Sequence, residues 1–408
     1  MTARVVIGHP VLNDNVRHTA LALAEAGILD RFHTGLDTTR AQNLRLGPLS
    51  SELRRRTLPE SVHRRTRAHP FGEVARLAAL RLPRKINPFD PHLGPLSIQA
   101  RSQAIDRVLA REVRRPEITT VYAYEDSAAD AFAAARSQGV RTLYDLPIGY
   151  WRTGRAIFAE EAERRPEWRG TLTGLRDPEW KLERKDRELA GADELIVASS
   201  FTARTLADYP GQVGSVSVIP YGTPARAQEE LVAGEGAIRV LFVGGLSQRK
   251  GIADLFDAIP LVDASVELTV VGRRVGECAP RDRMLDRVTW HESLPHARIL
   301  ELIAAHDVLV LPSLFEGFGL VLTEALSQGT PIIATDHTAA PDLLAGVEDA
   351  GWIVPIRSPE AIGARITDLN DPAFRAHSRE QALSAAALRS WEAYRRQIVA
   401  VVEGGDEG

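Results

Sequence analysis

Residues 314–329 read LFEGFGLVLTEALSQG, with Glu316 and Glu324 eight positions apart in an otherwise apolar stretch and Gly317-Phe318-Gly319 between them. Upstream, residues 242–259 read FVGGLSQRKGIADLFDAI, placing Arg249 and Lys250 after the glycine-rich Gly244-Gly245 loop. Two cations beside a helix start form a clamp for a pyrophosphate. A helix opening near Gly319 offers free backbone N–H groups and the positive end of its dipole, which suit a phosphate. Glycines at 317 and 319 let a ligand approach the backbone because no Cβ intervenes. Glu324, about one turn inside that helix, can accept two hydrogen bonds from a vicinal diol such as a ribose. Glu316 sits in the loop, nearer the reacting end of a ligand. The spacing fits neither GxxxxGK[ST] nor GxGxxG, so the loops signal phosphate without signalling ATP or NAD. Singly, each carboxylate also reads as a cap or a solvent-facing group, and Arg249-Lys250 as a surface pair. Their occurrence together, in order, at the ends of neighbouring strands argues for a site.

The elements that must position these groups are legible as apolar runs. RVVIG (4–8), TVYAY (120–124), VRTLYD (140–145), ELIVAS (194–199) and VSVIP (216–220) precede RVLFVG (239–244), VELTVVG (266–272), RVTWH (287–291), DVLVLP (307–312) and PIIAT (331–335). Helical patterns separate them, as in Val16–Ala26 and in SAADAFAAARSQG, which stops at Gly139 as a helix C-terminus would. Continuous Val/Ile/Leu strands between helices imply parallel sheets covered on both faces, hence a doubly wound α/β architecture used twice. The Gly/Pro-rich stretch VIPYGTPARAQEELVAGEG separates two βα series. Domains are therefore expected at 1–215 and 216–385, followed at 386–408 by an amphipathic helix with Trp391, Tyr394 and Ile398 near one face.

Length and composition agree. A chain of 408 residues exceeds one ordinary core. A net charge of −4 favours no nucleic-acid partner. The single cysteine, Cys278, fits a reducing compartment. The opening MTARVVIGHP lacks a signal-peptide pattern, and no apolar run approaches the roughly 20 residues of a membrane span, so a cytoplasmic protein is expected. Only four of the 50 Lys and Arg residues are lysines, among them Lys250. Residues 53–85 carry ten Arg or Lys against two Glu. That segment reads as a solvated basic insertion, or as a patch for anionic lipid headgroups or an anionic acceptor at the inner face of a membrane.

VIPYGTP, FVGGLSQRKG, VELTVVG and LPSLFEGFGLVLTEALSQGTPIIAT, in that order, resemble the C-terminal half of bacterial GT-B glycosyltransferases of the retaining family 4, or group 1, type. SWEAYRRQIVAVV resembles that family's last helix, which crosses back to the N-terminal domain. The resemblance implies two Rossmann-like domains facing across a cleft. It implies a nucleotide diphosphate sugar, UDP- or GDP-linked, as co-substrate and a sugar transferred with retention to the hydroxyl of a glycan, lipid or small-molecule acceptor. No cofactor and no metal are implied. Arg249 and Lys250 resemble the pair that neutralises the donor diphosphate. Glu324 resembles the ribose ligand, and Glu316 the residue facing the donor sugar. Backbone amides at Gly245 and from Gly317 through Phe318 and Gly319 to Leu320 resemble the groups that hold phosphate and sugar, and HESLP (291–295), with Leu294, the loop that touches the base.

The N-terminal half departs from the family pattern. Its first loop, GHPVLNDNVRH, has no glycine after Gly8, and Asn13 or Asp14 reads as a helix N-cap beside which backbone amides near Asn15 reach the donor phosphates. LYDLPIGYWRTGR has Tyr144 and Asp145 where the family often places a histidine. Glu125 and Asp126, at the end of TVYAY, join Glu316 as candidate catalytic residues that orient or deprotonate an acceptor, with helix capping by Asp126 as the alternative. Two other functions fit the same residues: a nucleotide-sugar epimerase, and a degenerate homologue that only binds nucleotide sugar.

Overall fold

The computed structural model describes residues 3–41, 56–79, 94–226 and 236–404. Its first sheet has seven parallel strands: β1 (Val5–His9), β2 (Leu29–Thr34), β3 (Thr66–Ala68), β4 (Thr120–Tyr124), β5 (Arg141–Leu146), β6 (Glu194–Val197) and β7 (Ser215–Val218), in the order β3-β2-β1-β4-β5-β6-β7. The second has six: β8 (Ile238–Val243), β9 (Val266–Val271), β10 (Thr289–His291), β11 (Val308–Leu311), β12 (Ile332–Thr335) and β13 (Gly351–Val354), in the order β10-β9-β8-β11-β12-β13. Each order reverses next to its first strand, the crevice where open α/β sheets bind ligands. The two doubly wound domains expected from the apolar runs are present.

Strand β7 pairs with β6 in the first sheet, Val216 against Leu195. A boundary at 215/216 would cut this strand, so the N-terminal domain extends past Val218. Its VSVIP run looks like the opening of a new βα series because it stands just before the Gly/Pro-rich stretch. Strands β2, β3 and β13 had no clear apolar run. LDRFHT interleaves polar groups, β3 has only three residues, and Ile353 of β13 is 47% exposed.

The described part of the basic segment belongs to the sheet rather than standing off it. It supplies edge strand β3 and the helix Pro70–Ala79, and the fully buried Glu73 binds Arg56 at 2.9 Å and Arg76 at 2.7 Å. Residues 53–55 and 80–85 lie outside the described residues. No helix among the described residues is long and apolar enough to cross a membrane.

The last helix, Trp391–Glu403, packs on the N-terminal helix Asp14–Glu25. Tyr394, Ile398 and Val402 are buried, the Tyr394 hydroxyl meets Thr19 Oγ1 at 2.7 Å, and Trp391 stacks on His18 with ring centroids 4.1 Å apart. Tyr221, on the connection between the sheets, packs against Phe318 at 4.8 Å and Tyr394 at 5.8 Å, so one apolar cluster runs from the first sheet to the second.

Asp145 lies under these tyrosines, 2% exposed, and accepts a hydrogen bond from the Tyr122 hydroxyl at 2.8 Å. Burial pushes its pKa up to about 7, and the Tyr122 hydroxyl opposes that rise. A carboxyl whose folded pKa exceeds its unfolded value binds its proton more tightly when folded. Stability is therefore lost as pH climbs from about 4 to about 7. Asp145→Asn is expected to stabilise the protein at pH 8 by on the order of 2 kcal/mol and to change it little at pH 4. Thermal unfolding of both proteins across that range checks it; parallel pH profiles would contradict the assignment.

Candidate active site

The turn Gln248–Lys250 follows β8 and ends at Gly251, which adopts φ +68. A Cβ at Gly251 would lie 1.8 Å from the Pro312 carbonyl oxygen, so only glycine fits. Arg249 accepts a backbone hydrogen bond from Leu314 at 2.9 Å, which ties this turn to the loop after β11. The two loops singled out in the sequence therefore meet.

Glu316 is where they meet. Its Oε2 accepts from Arg249 Nη1 at 3.1 Å and from Lys250 Nζ, and Arg249 Nη1 also donates to the Phe315 carbonyl at 3.0 Å. Burial alone would raise the Glu316 pKa, but the charges of Lys250 and Arg249 outweigh it and hold it down at about 2. Lys250 is pushed below its usual range, first by burial and then by Arg249, with Glu316 opposing. One carboxylate facing two cations leaves a net positive turn at the end of a core strand.

The helix Leu320–Ser327 begins beside this cluster. Gly319 is its N-cap at φ +86 and Leu320 is 40% exposed, so the first turn of the helix opens to solvent. Glu324, on that helix, pairs its Oε1 with His296 Nε2 at 3.0 Å. His296 was not singled out in the sequence; it begins the helix His296–Ala304, immediately after the HESLP loop that carries the half-buried Leu294. Gly245 is exposed at the end of β8, beside Val275.

Gly317 is used at the seam between the domains. Its carbonyl accepts from Ser199 Oγ and from Thr202 Oγ1 at 3.1 Å, and a Cβ there would stand 1.8 Å from the Pro147 carbonyl. Phe315 fills the space above Gly149 and Gly154 and packs edge-on against Phe158 and Phe201. Any side chain at 317 would drive the domains apart.

No hydrogen bond or ion pair among the described residues joins the N-terminal candidates to this cluster. Glu125 is paired with Lys185 on the helix Glu179–Gly191 at 2.8 Å, and burial raises its pKa against that pairing. Asp126 adopts φ +71, and its amide donates to Glu188 Oε2 at 2.8 Å. Its side chain does not cap the next helix, Ala129–Gln138, whose N-cap is Ala128. Asp106 accepts instead from the amides of Asp130 at 2.9 Å and Ala131 at 2.8 Å. Asn13 is the N-cap of the helix Asp14–Glu25, in extended conformation and without a side-chain capping bond. Among the described residues no group of three or more His, Cys, Asp or Glu is arranged around a metal position.

Residues 237–371 match the sequence profile of the family described as glycosyl transferases group 1, and that span contains Arg249, Lys250, Glu316 and Glu324. This span, most of the C-terminal domain, is thus similar to the glycosyl transferases group 1 family. The chain is 28% identical to a D-inositol 3-phosphate glycosyltransferase of Acidothermus cellulolyticus over 233 residues, 50% of this chain and 51% of that one. It is 31% identical to the O-antigen chain mannosyltransferase B of Escherichia coli over 163 residues, 37% and 42% of the two chains. The chain thus spans about half the length of the curated relatives it matches. Over nearly its whole length it superposes on the sucrose-phosphate synthase of Thermosynechococcus elongatus, with a TM-score of 0.65 at 21% identity and 98% of each chain covered. It also superposes on HepE of Anabaena, with a TM-score of 0.61 at 16% identity, covering 98% of this chain and 100% of that one. The two domains therefore share the GT-B arrangement of these structures.

Proposed function

We propose that the chain is a retaining glycosyltransferase that moves a hexosyl group from a UDP- or GDP-linked sugar to the hydroxyl of a glycan, lipid or small-molecule acceptor, without a metal. The observation that carries this reading is the meeting of Arg249, Lys250 and Glu316 beside the open first turn of the helix Leu320–Ser327. When the bond between the anomeric carbon and phosphate breaks, the diphosphate leaves with the bonding pair. Arg249, Lys250 and the amides after Gly319 stand where that charge develops, and preorganised donors of this kind lower the barrier. Glu324 is assigned to the ribose and the neighbourhood of Leu294 to the base. Support comes from the relatives, named as a glycosyltransferase and as mannosyltransferases, and from HepE, whose structure holds UDP. Retention rests on the likeness to the group 1 family. Incubation with UDP- and GDP-hexoses and a panel of hydroxyl acceptors in EDTA, followed by proton NMR of the anomeric signal, tests the proposal. Release of free nucleoside diphosphate with a product of the donor's anomeric configuration is expected; an inverted product, or sugar altered without an acceptor, would overturn it.

A further inference from the structure

We propose that residues 151–176 of the N-terminal domain form an arm that positions the phosphate-gripping turn from behind, with Gln248 as the joint and Glu161, Thr171 and Asp254 as positioning residues. The inference rests on the reading of Arg249 and Lys250 given above. Gln248 is fully buried and directly precedes them. Its Nε2 donates to Glu161 at 2.9 Å and to Asp254 at 2.9 Å, its Oε1 accepts from the Ala253 amide at 3.0 Å, and its own amide donates to Thr171 Oγ1 at 3.0 Å. Every polar group of this side chain is engaged, so its orientation is dictated from two domains at once.

The surrounding charges reinforce the contact. Glu161 and Asp254 are both fully buried. Arg357, from the C-terminal domain, reaches Glu161 at 2.8 Å, and Arg165, from the arm, reaches Asp254 at 2.9 Å and Asp257 at 2.6 Å. The tip of the arm is seated between backbones: a Cβ at Gly276 would lie 2.1 Å from the Gly170 carbonyl oxygen. The arm starts from Tyr150, just after β5, whose amide is fixed by Thr205 Oγ1 at 2.8 Å. One continuous stretch thus links the end of an N-terminal strand to the turn that carries the two cations.

Two variants test the arm in the intact chain. Gln248→Glu keeps the shape but places a third carboxylate between Glu161 and Asp254. Thr171→Val keeps the shape and removes one acceptor, and Thr171→Ser restores it. Hydrogen–deuterium exchange of residues 246–255 is read without ligand, and the affinity for UDP and GDP by calorimetry. Gln248→Glu is expected to speed that exchange at least about tenfold, Thr171→Val about threefold and Thr171→Ser not at all, with β11 and β12 unchanged. Diphosphate affinity is expected to fall in the same order. Unchanged exchange in the folded variants would overturn the arm, and Thr171→Val decides alone if Gln248→Glu does not fold. Accelerated exchange in a protein whose wild type binds neither nucleotide would uphold the arm and overturn the donor-site reading.

Discussion

Lys250→Ala is expected to weaken nucleoside diphosphate binding by about 1.5–3 kcal/mol, the range for hydrogen bonds to charged groups, which is roughly 10- to 150-fold in Kd. The ammonium is nearly buried, at 12% side-chain exposure, so solvent screens it little. Its loss would leave Arg249, bound to Glu316 at 3.1 Å, as the one cation of the proposed clamp. The transfer rate should suffer more than binding, by about 10²–10³, because the charge on the leaving diphosphate grows as the glycosidic bond breaks. Calorimetry of UDP and GDP, together with kcat for the variant, checks both effects. A Kd equal to that of the wild type would sink the clamp.

Glu316→Gln has the opposite sign on binding. Glu316 is bound to both cations proposed to meet the diphosphate. A ligand therefore displaces one anion with another, and the neutral amide removes that competition. Diphosphate binding is expected to hold or to tighten severalfold, while kcat falls by about 10²-fold because the carboxylate proposed to face the donor sugar is gone. Weaker binding would contradict the exchange of anions, and unchanged kcat would contradict the role at the sugar. Since the Glu316 pKa is lowered to about 2, from an ordinary value of 4.5, the stabilisation from its ion pairs is present above about pH 4.5 and lost only as pH falls through about 2. Above pH 4.5 the rate profiles of wild type and variant should accordingly have the same shape, offset by the loss in kcat.

The architecture was readable where strands are buried on both faces, because such strands need nearly continuous apolar residues; β11 (VLVL) and β12 (IIAT), buried at every position, show it. It was unreadable at the sheet edges. There β3 and β13 are held by neighbouring strands and need little apolar surface of their own. The Arg249-Lys250-Glu316 cluster was legible because glycines after a core strand leave a signature in local spacing. Gln248, Glu161 and Asp254 were invisible for the converse reason. A glutamine in a loop and a glutamate in a charged helix look solvated, and only the packing of residues 87 apart buries them together. Asp126 misled in the same way: an acidic residue before a helix suggests a cap, yet its backbone enters the left-handed region and Asp106, from another helix, does the capping.

Titrating the wild-type protein with UDP, GDP and ADP by calorimetry in the presence of EDTA tests the donor site most directly. Saturable binding of UDP or GDP, abolished or strongly weakened by Lys250→Ala, is the predicted result. No heat of binding from UDP or GDP would contradict it, because a folded turn carrying Arg249 and Lys250 beside an open helix start would then hold no diphosphate.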